Sequence, residues 1–161
     1  MSTPALRPVQ LAMELAERQR DLIATSLAMA VQNQQAAQVQ MQQLEAYARE
    51  TETKWMQRAQ VAASPELMQH HYQFMAKLEQ AITFQVRVID NHTGRVMQVR
   101  LGLIEVEQRL ARFKHILAMR QAEITLVHNR REQRQMDELA SRMGHQRRRP
   151  LDAEESQWQS N

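Results

Sequence analysis

Apolar residues recur at every seventh position along the middle of this chain, and no proline falls between Pro65 and Pro150. The series consists of Met68, Met75, Ile82, Ile89, Val96, Leu103, Leu110, Leu117 and Ile124. A strict seven-residue apolar repeat without a helix breaker predicts one continuous helix that packs along a coiled-coil seam. A second series in the same heptads is mixed, because it alternates apolar residues such as Leu78 and Val106 with polar ones such as Gln85. The predicted seam is therefore narrow.

The first sixty residues carry another heptad series, and alanine is frequent in it. Its members are Val9, Met13, Ala16, Ile23, Leu27, Ala30, Ala37, Met41, Leu44, Ala48 and Trp55. This series predicts a first helix from about residue 5 or 9 to about residue 60. Small alanine side chains would let a second helix approach closely.

A helix start is readable at Ser64, Pro65 and Glu66. The serine hydroxyl can cap free N–H groups, proline tolerates the first helical position, and a carboxylate suits the positive helix end. We therefore expect a turn at about residues 61–64 and a second helix at about 65–148. A short connection makes two helices antiparallel neighbours, so the predicted fold is all-α, an antiparallel coiled-coil hairpin whose second helix is the longer.

The hairpin register follows from the position of the turn. It places Leu44 opposite Leu78, and Val9 opposite about residues 113–117. The second helix then continues without a partner from about residue 117 to 148. We expect one coiled-coil domain over residues 1–149 and a disordered acidic tail over 150–161. The overhang has an apolar stripe that favours docking to another protein; the alternatives are that it frays or pairs with a second copy.

Charge is distributed unevenly, although the formal net charge is only +3. Residues 108–149 contain eleven Lys/Arg and four Asp/Glu, whereas residues 150–161 contain three acidic residues and no basic ones. A basic helix end suits nucleic acid, a membrane surface or an acidic protein pocket. A solvated helix face explains the same charges equally well.

Signs of catalysis are missing from the sequence. The chain has no cysteine, its six histidines lack metal-ligand spacing, and Glu105 and Glu107 diverge around a helix. No glycine-rich phosphate loop or nucleophile with a base is present, so we expect no enzyme, no metal and no cofactor. No secretion signal or membrane-spanning stretch is recognisable.

Three stretches together resemble the FliJ family of flagellar type III export proteins, which is grouped with the injectisome stalk proteins. Residues 40–47 are similar to the family's pattern near the end of the first helix, with spaced leucines followed by Tyr47. Residues 72–82 are similar to its start of the long helix. Residues 129–140 are similar to its basic C-terminal segment ending in Met136, Asp137 and Glu138.

The resemblance implies a non-enzymatic stalk of the flagellar export apparatus, needed for flagellum assembly, motility and chemotaxis. Its implied partners are the hexameric export ATPase FliI, the membrane-embedded export gate protein FlhA, and export chaperones. The implied location is cytoplasmic, peripheral on the inner membrane at the flagellar base, without nucleic acid and with membrane contact only through the export apparatus.

The resemblance also implies two contact surfaces. The gate surface consists of Gln40, Leu44, Tyr47, Phe74, Leu78 and Ala81, and each of these residue types matches the family's pattern. Heptad placement indicates that they lie at one height on neighbouring helices. The sequence departs from the family at Thr51, where a second aromatic is frequent, and at Gln85, where some members have histidine. The expected ATPase surface consists of Leu117, Ile124, Val127, Arg130, Arg131 and Arg134.

Two rival functions belong to other classes. One is a nucleic-acid-binding coiled coil that uses the arginines of the basic helix on phosphates. Those arginines are Arg130, Arg131, Arg134, Arg142 and Arg147 to Arg149. Phe113 is the one aromatic residue in this basic segment, which disfavours single-strand stacking. The other rival is a general chaperone for export substrates.

Overall fold

The computed structural model describes residues 6–148, which form two α-helices and a short connection. Helix α1 spans Arg7–Ala59 and helix α2 spans Pro65–Arg148, with 53 and 84 residues respectively. The two helices pack against each other as an antiparallel hairpin, and no strand occurs within the described residues. The predicted all-α fold and the longer second helix are confirmed. The predicted acidic tail, residues 150–161, lies outside the described residues.

The start of α2 is built as the sequence predicts. The Leu67 amide donates a hydrogen bond to Ser64 Oγ at 3.2 Å, and the Met68 amide donates to the Ser64 carbonyl at 3.1 Å. Pro65 occupies the first helical position and Glu66 the first turn. The first contact satisfies an amide group that a helix start otherwise leaves unpaired, and the second is the first backbone hydrogen bond of the helix. They therefore fix where the chain reverses.

The chain divides into two compact units, of which one comprises residues 14–111. This hairpin unit buries residues of the predicted seams. Its buried apolar residues are Ala16, Ala30 and Ala37 on α1 and Leu78, Val96, Val106 and Leu110 on α2. Every buried residue that α1 contributes here is an alanine, so the short side chains of α1 face the larger ones of α2. The seam is as narrow as the heptad pattern predicts.

Contacts between the helices define the register of the hairpin unit. Gln34 Nε2 donates to Thr93 Oγ1 at 2.9 Å, and Gln85 Nε2 donates to the Ala37 carbonyl at 2.8 Å. The members of each pair lie at nearly equal sequence distances from the connection at residues 60–64. The predicted pairing of Leu44 with Leu78 fits this register.

The other compact unit contains the described residues 6–13 and 112–148. Leu6 is buried, and Phe113 and Leu117 are half-buried. From residue 118 to residue 147 every residue is exposed. The long, uncovered end of α2 that the sequence predicts is therefore present.

Replacing Ala37 by leucine tests the close approach of the two helices. Ala37 is 3 % exposed, so a larger side chain must push α2 away. We expect a loss of about 1–3 kcal/mol in the free energy of unfolding, measured by urea denaturation followed by circular dichroism. The matched control is Ala36→Leu at the neighbouring exposed position, which should leave stability nearly unchanged. Equal effects of the two variants would contradict the observed packing.

Candidate protein-binding surfaces

Two aromatic side chains meet across the hairpin unit. The rings of Tyr47 on α1 and Phe74 on α2 lie edge to face, with centroids 6.1 Å apart and planes at 79°. This is a favourable aromatic geometry. Yet Tyr47 remains 52 % exposed and Phe74 41 % exposed. The pair is thus held in place by its own contact while about half of it stays open to a partner.

The other four residues of the expected gate surface differ in accessibility. Gln40 and Ala81 are exposed, and Leu44 is half-buried. Leu78 is only 8 % exposed, because it belongs to the seam. The structure thus brings Tyr47 and Phe74 together at one height, as the register predicts, and makes Leu78 a support beneath the surface rather than an open contact.

Gln85 is a buried polar residue within the seam, with 8 % of its surface exposed. Its Nε2 donates to the Ala37 carbonyl at 2.8 Å and to Gln40 Oε1 at 3.2 Å. Among the described residues no buried side-chain polar atom lacks a hydrogen-bond partner. A single satisfied polar residue in an apolar seam disfavours slipped pairings, because a slip would leave its amide buried and unpaired. Gln85 therefore favours the observed register and, through its hydrogen bond, positions the Gln40 side chain.

A second aromatic contact lies nearer the turn. The rings of Trp55 and His71 stack, with centroids 4.3 Å apart and an angle of 6° between their planes. The ring centroid of Tyr72 lies 6.2 Å from that of His71. Trp55 belongs to the heptad series of α1, but neither Trp55 nor His71 is part of the two surfaces that the sequence predicts. Their antiparallel pairing could have been found from the register, since both lie at similar distances from the turn.

A shallow groove connects the Trp55–His71 stack with Tyr47. It is lined by Tyr47, Glu50, Thr51, Lys54, Trp55, Arg58 and His71. Lys54 Nζ lies 2.7 Å from Glu50 Oε1, and this hydrogen bond together with the lysine charge lowers the pKa of the exposed Glu50 carboxyl. Thr51 leaves room in the groove, and Trp55 supplies an aromatic ring one helical turn later. Aromatic side chains therefore continue from the expected gate surface further towards the turn than the sequence predicts.

The expected ATPase surface lies in the compact unit that contains the end of α2. Leu117 is half-buried, whereas Ile124 and Val127 are 37 % and 44 % exposed. Arg130, Arg131 and Arg134 are all exposed. At 3.6 residues per turn these six positions occupy about 140° of the helix circumference. They therefore form one apolar and basic face.

Within residues 6–148 no group of three His, Asp or Glu side chains is placed to hold a metal ion. Neither α1 nor α2 contains, within the described residues, an apolar stretch of the length that a membrane-spanning helix needs.

Comparison with protein families gives a match over most of the chain. The model of the family described as "Flagellar FliJ protein" matches residues 6–149, which is about nine-tenths of the chain. No curated protein matches the chain, and no solved structure does so.

Replacing Gln85 by leucine tests its role in the register. A leucine fills a similar space without a polar atom, so we expect the free energy of unfolding to stay within about 1 kcal/mol or to rise. The preference of the two helices for a single pairing register should fall. Because the chain has no cysteine, disulfides report the pairing: Gln34→Cys with Thr93→Cys captures the observed register, and Gln34→Cys with Val86→Cys captures a slip of one heptad.

We expect both disulfides to form in the Gln85→Leu background and only the first to form beside native Gln85. Gln80→Leu, at an exposed position of the same helix, is the control and should behave like the native chain. A leucine variant that forms only the observed disulfide would show that other residues set the register.

Proposed function

The chain belongs to the flagellar FliJ family, and from that membership we propose that it is the stalk component that couples the export ATPase FliI to the export gate protein FlhA. Membership gives it a role in flagellar protein export. The finer proposal is that it contacts gate and ATPase through separate surfaces, without catalysing a reaction itself. It would act at the cytoplasmic face of the membrane at the flagellar base, where export chaperones are further candidate partners.

The observation that carries the proposal is the half-exposed pair of Tyr47 and Phe74. Large aromatic side chains supply most of the energy at many protein interfaces. This pair also needs little reorganisation on binding, since each ring already limits the movement of the other. We propose that FlhA covers these two rings, with Gln40 and Ala81 beside them and Leu44 and Leu78 supporting them from the seam.

The groove next to Tyr47 supports a larger gate surface. It contains a hydrogen-bonded ion pair, the edge of the Trp55–His71 stack, and Arg58. Apolar rings surrounded by charged groups are the usual composition of an interface centre and its rim. We propose that the gate contact extends from Tyr47 towards Trp55.

The ATPase contact is assigned to the basic face of α2. Ile124 and Val127 offer apolar area, and Arg130, Arg131 and Arg134 offer positive charge on the same face. Acidic loops of an ATPase ring would attract such a helix during encounter. Exposed charges are screened beyond about 8 Å at physiological salt, so charge should speed association and apolar contact should hold the complex.

Replacing both Tyr47 and Phe74 by alanine should weaken FlhA binding. Full burial of a large apolar side chain contributes about 1.5–3 kcal/mol, and about half remains to be gained here, so the double variant should lose about 2 kcal/mol, or roughly 30-fold in affinity. Isothermal titration calorimetry with the cytoplasmic part of FlhA measures this. Helicity should persist in circular dichroism.

The matched control replaces Met97 and Leu101 by alanine, since these apolar side chains are 60 % and 63 % exposed on the same hairpin unit but away from the proposed gate surface. This control should bind FlhA normally. Equal affinity of the Tyr47/Phe74 variant and the native chain, or collapse of its helicity, would show that the pair serves packing alone.

Truncation after Ala118 should abolish stimulation of FliI ATP hydrolysis while FlhA binding persists. The reason is that the cut removes the exposed apolar and basic face and leaves residues 14–111 intact. A full-length variant with Arg130, Arg131 and Arg134 replaced by glutamine should bind FliI more slowly at low salt and nearly normally at high salt, as measured by stopped-flow kinetics.

The control for charge replaces three exposed arginines of the hairpin unit by glutamine, namely Arg87, Arg95 and Arg100. It should leave the association rate with FliI nearly unchanged. Full stimulation by the truncated chain would refute the ATPase assignment. Tight, salt-sensitive binding of the native chain to unrelated DNA would favour the nucleic-acid rival.

A further inference from the structure

We propose that the acidic segment 150–161 of this chain binds an exposed apolar surface at the C-terminal end of α2. We call this surface the terminal surface and define it as Met136, Leu139 and Met143. It lies outside the residues assigned to the gate and to the ATPase. The inference therefore does not depend on either assignment.

The terminal surface is open and continuous. Met136, Leu139 and Met143 are 70 %, 54 % and 64 % exposed. Their spacing of three and four residues places them on one face of the helix. Methionine side chains adapt to irregular partners and make favourable contacts with aromatic rings. The surface therefore suits a short segment that carries an aromatic residue.

The charges around the terminal surface select an acidic occupant. Residues 140–149 contain four arginines and no acidic residue. Arg142 follows Leu139 by three positions and Arg147 follows Met143 by four, so both lie beside the apolar residues on the helix surface. Asp137 and Glu138 lie at the other end of the surface. An acidic segment should therefore lie over the arginine-rich side.

The chain's own C-terminal segment has the matching composition. It contains Asp152, Glu154 and Glu155 without any basic residue, and the apolar Leu151 and Trp158 lie on either side of these acids. Opposite charges would meet Arg142 and Arg147, while the indole of Trp158 would meet the methionines. Charge and apolar pattern thus agree in the same segment.

The segment is also long enough. The described part of α2 extends to Arg148, and Pro150 follows two positions later. Pro150 and Trp158 are eight positions apart and can lie up to about 28 Å from each other when the chain between them is extended. Met136 and Arg148 are twelve positions apart, which corresponds to about 18 Å along the helix. Trp158 can therefore return to any residue of the terminal surface.

A second copy of the chain fits the terminal surface less well. Two terminal surfaces would bring two arginine-rich helix ends together, and like charges repel. A tethered segment also acts at an effective concentration of the order of millimolar, which no second copy reaches in a dilute solution. The chain's own segment is therefore the favoured occupant.

The fluorescence of Trp158 tests the proposal. In full-length chain carrying Trp55→Phe, Trp158 is the remaining indole, because the chain has two tryptophans. We expect its emission at shorter wavelength than that of a free peptide of residues 149–161, with less quenching by acrylamide. Adding Leu139→Ser and Met143→Ser should abolish both differences. Replacing the three tail acids by their amides should reduce them.

The matched control is Met119→Ser with Leu126→Ser, since these side chains are 61 % and 52 % exposed on the same helix. It should leave Trp158 protected. If Trp55→Phe disturbs the hairpin in circular dichroism, the difference in emission between the native chain and Trp158→Phe gives the same information.

Three results would overturn the proposal. The first is a Trp158 that behaves as in the free peptide, and the second is protection that persists after Leu139→Ser and Met143→Ser or after neutralisation of the acids. The third is protection that disappears on dilution, which would identify a second copy as the occupant. These measurements contain neither FliI nor FlhA, so their failure would leave the proposed function untouched.

Discussion

The close approach of α1 to α2 is the constraint on which the hairpin depends. Every buried residue that α1 contributes to the unit 14–111 is an alanine, so the two backbones can pack with little side-chain volume between them. Such a seam gains less from burial per turn than a leucine-rich one. The length of the seam compensates, because each further heptad adds another small increment of stabilising free energy. The function of the chain has to be built on what this narrow seam leaves uncovered.

The uncovered residues are of two kinds. Some, such as Tyr47 and Phe74, lie beside the seam and contact each other across it. Others, such as Ile124 and Val127, continue the heptad spacing where α2 is exposed along its whole circumference. The first kind is pre-positioned by the register, so binding there costs little ordering. The second kind is positioned only by the helix that carries it, so its partner must provide the missing side of the seam.

Much of this fold could be read from the sequence, because heptad spacing and the Ser64-Pro65-Glu66 start are local signals. The bounds of α2 and the serine cap follow from them directly, and the register follows from the position of the turn. The structural detail of the sites was less accessible. The hydrogen bond from Gln85 to the Ala37 carbonyl depends on side-chain rotamers, and the stack of Trp55 on His71 depends on ring orientation. The register brings Trp55 and His71 near each other, but residue spacing predicts neither the hydrogen bond nor the orientation of the rings.

The exposed stretch from residue 118 to residue 147 has a consequence for how the chain gains and loses order. Starting a helix is the expensive step, and adding residues to an existing helix is nearly neutral. The packed part of α2 provides the nucleus, so the exposed part extends from it as a continuation that can melt and reform from the Arg148 end without unfolding the seam. Amide hydrogens should therefore exchange fastest near Arg148 and progressively more slowly towards Leu117. The local stability of α2 thus decreases gradually towards Arg148, and a partner that binds there can stabilise a larger or smaller number of helical turns.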